Sequence, residues 1–119
     1  MTKHVAVFGS LREGEYNFER YGVTNVLART VISGYKMYDL GPFPAIVESE
    51  IPEDKITVEL HEVSEENYDS ITWMEVGAGY TPKTITINNI EATIYTMKRC
   101  HGPQVVSGDW VTHNKNKRR

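Results

Sequence analysis

The stretch Val5-Ala6-Val7-Phe8-Gly9-Ser10-Leu11-Arg12-Glu13-Gly14 joins an apolar run to a glycine-framed segment. The run His4 to Phe8 is short, apolar and stopped by Gly9, which predicts a central strand. Gly9 to Gly14 predicts a loop leaving the end of that strand. Glycine at such a place lets backbone N–H groups converge, because no Cβ blocks approach or positive φ. The loop therefore reads either as a nest for a carboxylate or developing oxyanion, or as an ordinary strand-to-loop turn. Arg12 can add a charge-assisted hydrogen bond to a carboxylate. The loop is not a phosphate loop, since Glu15 and Tyr16 follow Gly14 where Lys and Ser/Thr are required. Ser10 lacks the G-x-S-x-G context of a nucleophile elbow.

Working outward, Asn17 to Leu27 predicts a short helix interrupted by Gly22. Thr30 to Leu40 is β-branched and aromatic around Gly34, where a bulge is expected. Gly41 to Pro44 must turn, Ala45 to Val47 resumes a short strand, and Ser49 to Lys55 is loop. Ile56 to Val63 alternates, with Ile56, Val58 and Leu60 on one face and Thr57 and Glu59 on the other, as in a half-buried strand. Ser64 opens a helix, with Glu65 and Glu66 where the N-terminal dipole favours acids. Tyr68, Ile71, Met74 and Glu75 follow at helical spacing, and Gly77 and Gly79 end it. Thr84 to Ile87 and Ala92 to Met97 predict a hairpin through Asn88-Asn89. About six strands around one or two helices, linked by hairpins, give an α+β class: a small mixed, barrel-like sheet with flanking helices.

The 119 residues fit one domain, expected over 1–112, large enough to fold without disulfide or metal. Apolar residues at 39% and charged at 24% are ordinary for a soluble globule. No apolar run approaches the ~18 residues of a membrane span, and no signal-peptide pattern opens the chain. The expected location is cytoplasmic. Residues 113–119 hold four basic residues and no acid, and read as a solvated, disordered tail. The rest holds nine basic residues against sixteen acidic ones, a charge of −7 that disfavours nucleic acid as a partner. Cys100 cannot pair within the chain, and adjacency to His101 places the two on opposite faces of a strand. His4, His61, His101 and His113 show no metal-ligand spacing, so neither metal nor cofactor is expected.

Glu75 closes the apolar side of its helix. A carboxyl there is either an exposed helix-end glutamate or a partly desolvated base with a raised pKa. Among Tyr35, Tyr38, Tyr80, Tyr95 and Trp110, one or two tyrosine hydroxyls can orient a ligand.

In this order, the pieces resemble the γ-glutamylcyclotransferase-like family, in the branch of the plant avirulence-induced proteins, the bacterial YtfP type and the γ-glutamylamine cyclotransferases. The resemblance runs from Val5 to Trp110. It rests on Phe8-Gly9-Ser10-Leu11-Arg12-Glu13-Gly14, on Gly34-Tyr35-Lys36-Met37-Tyr38-Asp39-Leu40-Gly41-Pro42-Phe43-Pro44, and on Ser107-Gly108-Asp109-Trp110. The stretch Ile71-Thr72-Trp73-Met74-Glu75, with Tyr80 after it, matches the family's catalytic-glutamate segment. Phe8 stands where the family has tyrosine, and Thr72 where it has aspartate. The resemblance implies a curled mixed sheet in which loop and glutamate share one cavity. It implies a γ-glutamyl small-molecule substrate cyclised to 5-oxoproline, with Glu75 as general acid/base. Phe8, Gly9, Ser10, Leu11, Arg12 and Tyr80 would bind the substrate. A non-catalytic binding module with the same pocket, favoured by the two departures, is the alternative. A partner-binding role for the basic tail is a third.

Overall fold

The alternation of apolar residues lays the chain down as strands, and two of them carry the core. A computed structural model describes residues 2–9, 11–13, 15 and 25–117. Its elements are β1 (Thr2–Val7), β2 (Asn25–Ser33), β3 (Tyr35–Asp39), β4 (Pro44–Glu48), β5 (Lys55–Ser64), α1 (Glu65–Gly77), β6 (Thr81–Ile87), β7 (Ile90–Thr96) and α2 (Trp110–Lys117). Ser10, Gly14 and residues 17–24 of the expected short helix lie outside the described residues, while Asn25 to Leu27 belong to β2. Among the described residues no helix is long and apolar enough to cross a membrane.

Five strands form one sheet in the order β2-β5-β1-β7-β6. β1 runs antiparallel to β5 and parallel to β7, so the sheet is mixed. It has two edges, β2 and β6, and does not close into the expected barrel. The apolar run beginning at Thr30 is broken at Gly34, whose φ of +90° turns the chain out of β2 and into β3. β3 and β4 then pair as a two-stranded ribbon, and β3 also bridges to Gln104 through Tyr38. The Met97 N–H donates to Ile46 O at 2.9 Å and ties this ribbon to the end of β7.

Ser64 caps α1 as its sequence position predicts, accepting from the Asn67 N–H at 3.1 Å. The helix lays Ile71 into the core, with Tyr68 and Met74 packed against it. Asn88 and Asn89, with φ of 51° and 65°, make the two-residue turn between β6 and β7. The described part of the expected tail, residues 113–117, is helical. Residues 110–117 form α2, because Asp109 caps it through the N–H groups of Val111 (3.1 Å) and Thr112 (3.3 Å). Trp110 is buried, and His113 Nε2 lies 2.9 Å from Asp39 Oδ2. A basic composition alone does not report such anchors.

Candidate active site

The end of β1, the start of β4 and the last turn of α1 meet around a cavity of about 140 Å³. Ala6 and Val7 of β1 continue into Phe8, Gly9 and Leu11, which form one wall. Phe43 and Pro44 form the second, and Met74, Glu75 and Ala78 the third. Tyr80 and Tyr95 complete the lining. A Cβ on Gly9 would stand 2.8 Å from Pro44 Cγ, so only glycine lets the strand end pass so close to β4. The Tyr80 hydroxyl donates to Pro44 O and closes the base of this contact. Phe8 meets Tyr80 edge-on at 6.4 Å between ring centroids.

Glu75 brings the one ionisable carboxyl among the described lining residues. Burial among apolar walls pushes it up to about 7. The same burial, with the Glu75 charge behind it, raises the Tyr80 phenol above its usual range. The Tyr95 phenol is raised by burial as well. Its hydroxyl lies 2.7 Å from Thr72 Oγ1, one turn before Glu75 on α1. Thr72 therefore fixes a tyrosine of the cavity. On the loop, the Arg12 N–H closes a turn onto Gly9 O at 3.0 Å, and the Glu13 N–H donates to Glu59 Oε1 at 2.7 Å. No hydrogen bond from the Gly9 or Leu11 N–H to another described residue is present, and both residues line the cavity.

Phe8, Gly9, Leu11, Glu75 and Tyr80 thus come together as expected, and Ser10 lies outside the described residues. Arg12 does not join them. Its side chain is 3% exposed and lies in a buried cluster behind the loop, outside the cavity lining. There Nε donates to Glu59 Oε2 at 3.0 Å and Nη1 to Asp109 Oδ1 at 2.6 Å. Two carboxylates satisfy the guanidinium more fully than a transient ligand can.

Glu59 overturns the half-exposed reading of its strand. It is 0% exposed, because Arg12, Glu13 and Arg29 cover the face assigned to solvent. Arg29 Nε reaches Oε2 at 3.1 Å, and His61 Nε2 lies 3.0 Å from Oε1. Burial by itself would raise this carboxyl. The contacts from His61, the Glu13 N–H and Arg12 outweigh burial and hold it near about 2. Asp109 is lowered by the same balance, with Arg12 as its main partner. Alternation in β5 marks the two faces but not which of them is covered, so the sequence carries no signal for Glu59. Tyr95 belongs to the aromatic set read from the sequence, but its pairing with Thr72 spans 23 residues and leaves no local mark.

A family model described as gamma-glutamyl cyclotransferase, AIG2-like, matches residues 5–112. PH0828 of Pyrococcus horikoshii, which carries the provisional name gamma-glutamylcyclotransferase, is 26% identical over 107 residues, 89% of each chain. The crystal structure of PH0828 superposes with a TM-score of 0.83 at 25% identity, covering 98% of this chain and 96% of that one. The solution structure of ytfP from Escherichia coli gives 0.73 at 21% identity, over 93% and 98%.

Proposed function

This chain belongs to the gamma-glutamyl cyclotransferase, AIG2-like family, and from that premise we propose that it cyclises a γ-glutamyl amide to 5-oxoproline and releases an amine. The observation that carries the reading is Glu75, whose carboxyl is raised to about 7 in the same cavity as the glycine loop. A group titrating there can accept and return a proton near neutrality. Glu75 takes a proton from the substrate's α-ammonium. The freed nitrogen attacks the γ-amide carbonyl carbon, and a five-membered ring forms. The ring nitrogen, positively charged after attack, gives up a second proton as the bond from that carbon to the leaving nitrogen breaks. Glu75 returns the first proton to the leaving nitrogen, and the second ends on the released amine, which departs as an ammonium.

The cavity of about 140 Å³ is small beside drug-sized sites of roughly 300–1,000 Å³ and suits a group the size of glutamyl. Phe8, Leu11 and Met74 hold it curled, which supplies the entropy of ring closure in advance. In this reading the N–H groups of Gly9 and Leu11 bind its carboxylate or the developing oxyanion.

The second reading, a binding module without turnover, draws on Phe8 and on Thr72, which is committed to Tyr95 rather than to a ligand. A panel of γ-glutamyl amines and dipeptides separates the two. Wild type is expected to form 5-oxoproline at a rate that rises with pH through about 7, and Glu75→Gln to lose roughly 100-fold or more. Equal rates in both proteins remove Glu75 from the role. Ligand binding by wild type without any product establishes the module.

A further inference from the structure

A donor loop works only if its N–H groups hold still, and this loop is held from behind at Arg12 and Glu13. Glu59 binds this loop twice. Its Oε1 takes the Glu13 backbone N–H at 2.7 Å, and its Oε2 takes Arg12 Nε at 3.0 Å. Arg12 also reaches forward with Nη1 to Asp109, at 2.6 Å. Asp109 in turn caps α2, so the loop is clasped between β5 and the C-terminal helix. Gly9 and Leu11, the cavity-lining residues, lie within a few residues of both anchored positions, while Arg12 and Glu13 lie outside the cavity lining.

We propose that Glu59 and Asp109 are positioning residues, which act through Arg12 and the Glu13 N–H to fix the donor loop opposite Glu75 and so set the pocket's affinity for a carboxylate, without touching the ligand. The inference rests on the reading of Gly9 and Leu11 as ligand donors. Buried ion pairs are poor stability devices, since apolar groups of the same volume often serve as well. What an apolar cluster cannot supply is direction. Three hydrogen bonds on one loop, from two carboxylates on different elements, oppose its rotation and its translation alike. The structure also holds an internal control. Arg29 places Nε at 3.1 Å and Nη2 at 3.0 Å from the same Glu59 Oε2, but it does so from β2 and is not part of the loop.

The experiment compares the full chain with Arg12→Lys, Asp109→Asn, Glu59→Gln and Arg29→Ala. It measures thermal stability, amide hydrogen exchange at Gly9 and Leu11, calorimetric binding of 5-oxoproline, and KM and kcat where turnover is seen. Lysine cannot span both carboxylates as the guanidinium fork does. Arg12→Lys and Asp109→Asn are therefore expected to speed exchange at Gly9 and Leu11, and to weaken 5-oxoproline binding and raise KM, each by about tenfold. The rising pH limb of kcat stays where Glu75 puts it. Arg29→Ala is expected to lower the melting temperature and leave binding and loop exchange within about twofold. The proposal falls if Arg12→Lys and Asp109→Asn leave loop exchange unchanged. It falls equally if Arg29→Ala weakens binding in proportion to its loss of stability. A wild type that binds no 5-oxoproline overturns the donor role of the loop, and loop exchange alone then decides the clamp. Should Glu59→Gln fail to fold, the other three variants decide.

Discussion

Two glutamates in this chain differ only in what surrounds them, and they end with opposite chemistry. Glu75 faces apolar walls and is raised to about 7, whereas Glu59 faces donors and is held near about 2. Because the folded protein keeps the Glu75 proton that the unfolded chain releases near 4.5, its contribution is favourable at low pH and is lost as pH rises from about 4.5 through about 7. Glu75→Gln should therefore match wild type near pH 4 and exceed it near pH 8. The expected gain is on the order of 2 kcal/mol, discounted for the half-burial of the carboxyl. Urea unfolding at the two pH values measures it, and an equal difference at both would contradict the placement of Glu75. Arg12 shows the limit of reading a residue by its type. A cation beside a glycine loop suits a carboxylate ligand, but two carboxylates of the protein already hold it.

At the scale of elements, turn chemistry and capping were legible and long-range anchoring was not. Ser64 and the two acids after it announce α1, and Asn88-Asn89 announces the β6–β7 hairpin, because both signals act over two to four residues. Asn89 sits at φ 65°, which asparagine tolerates and glycine adopts without cost. Asn89→Gly should stabilise the protein by about 0.5 kcal/mol, the relief of the turn being partly offset by a freer unfolded chain. Thermal unfolding checks this, and a lower melting temperature would contradict the turn as described. The part of α2 from His113 onward reads as tail in the sequence because the anchors of the helix, Arg12 and Asp39, lie far off along the chain. The short helix expected from Asn17 to Leu27 fails at its end for a related reason. Pairing with β5 draws Asn25 to Leu27 into β2, and a ladder of backbone hydrogen bonds outweighs local helix preference.

Across the whole molecule, the sheet is mixed and open, with β5 and β1 at its centre. Glu59 lies on β5 between Val7 of β1 and Arg29 of β2, so its charge is locked inside the fold. Its depressed carboxyl makes acid a global stress. The stability it brings is present above about 4.5 and is lost as pH falls toward about 2. Wild type should lose on the order of 3 kcal/mol through this group over that range. A urea series from pH 5 to pH 2 measures the slope, and Glu59→Gln should flatten it. An unchanged slope would mean that the carboxyl does not stay ionised in the folded state.

The sequence by itself determined the α+β class, the strand-to-loop passage at Phe8-Gly9, the helix that delivers Glu75, and the family, because each rests on periodicity, turn residues or motif order along the chain. Tertiary structure alone decided that the sheet stays open, that Arg12 turns away from the cavity, that Glu59 is buried, and that Thr72 holds Tyr95. These depend on which strands lie side by side and which face is covered. Pairing energies between groups tens of residues apart settle that, and no local pattern encodes them.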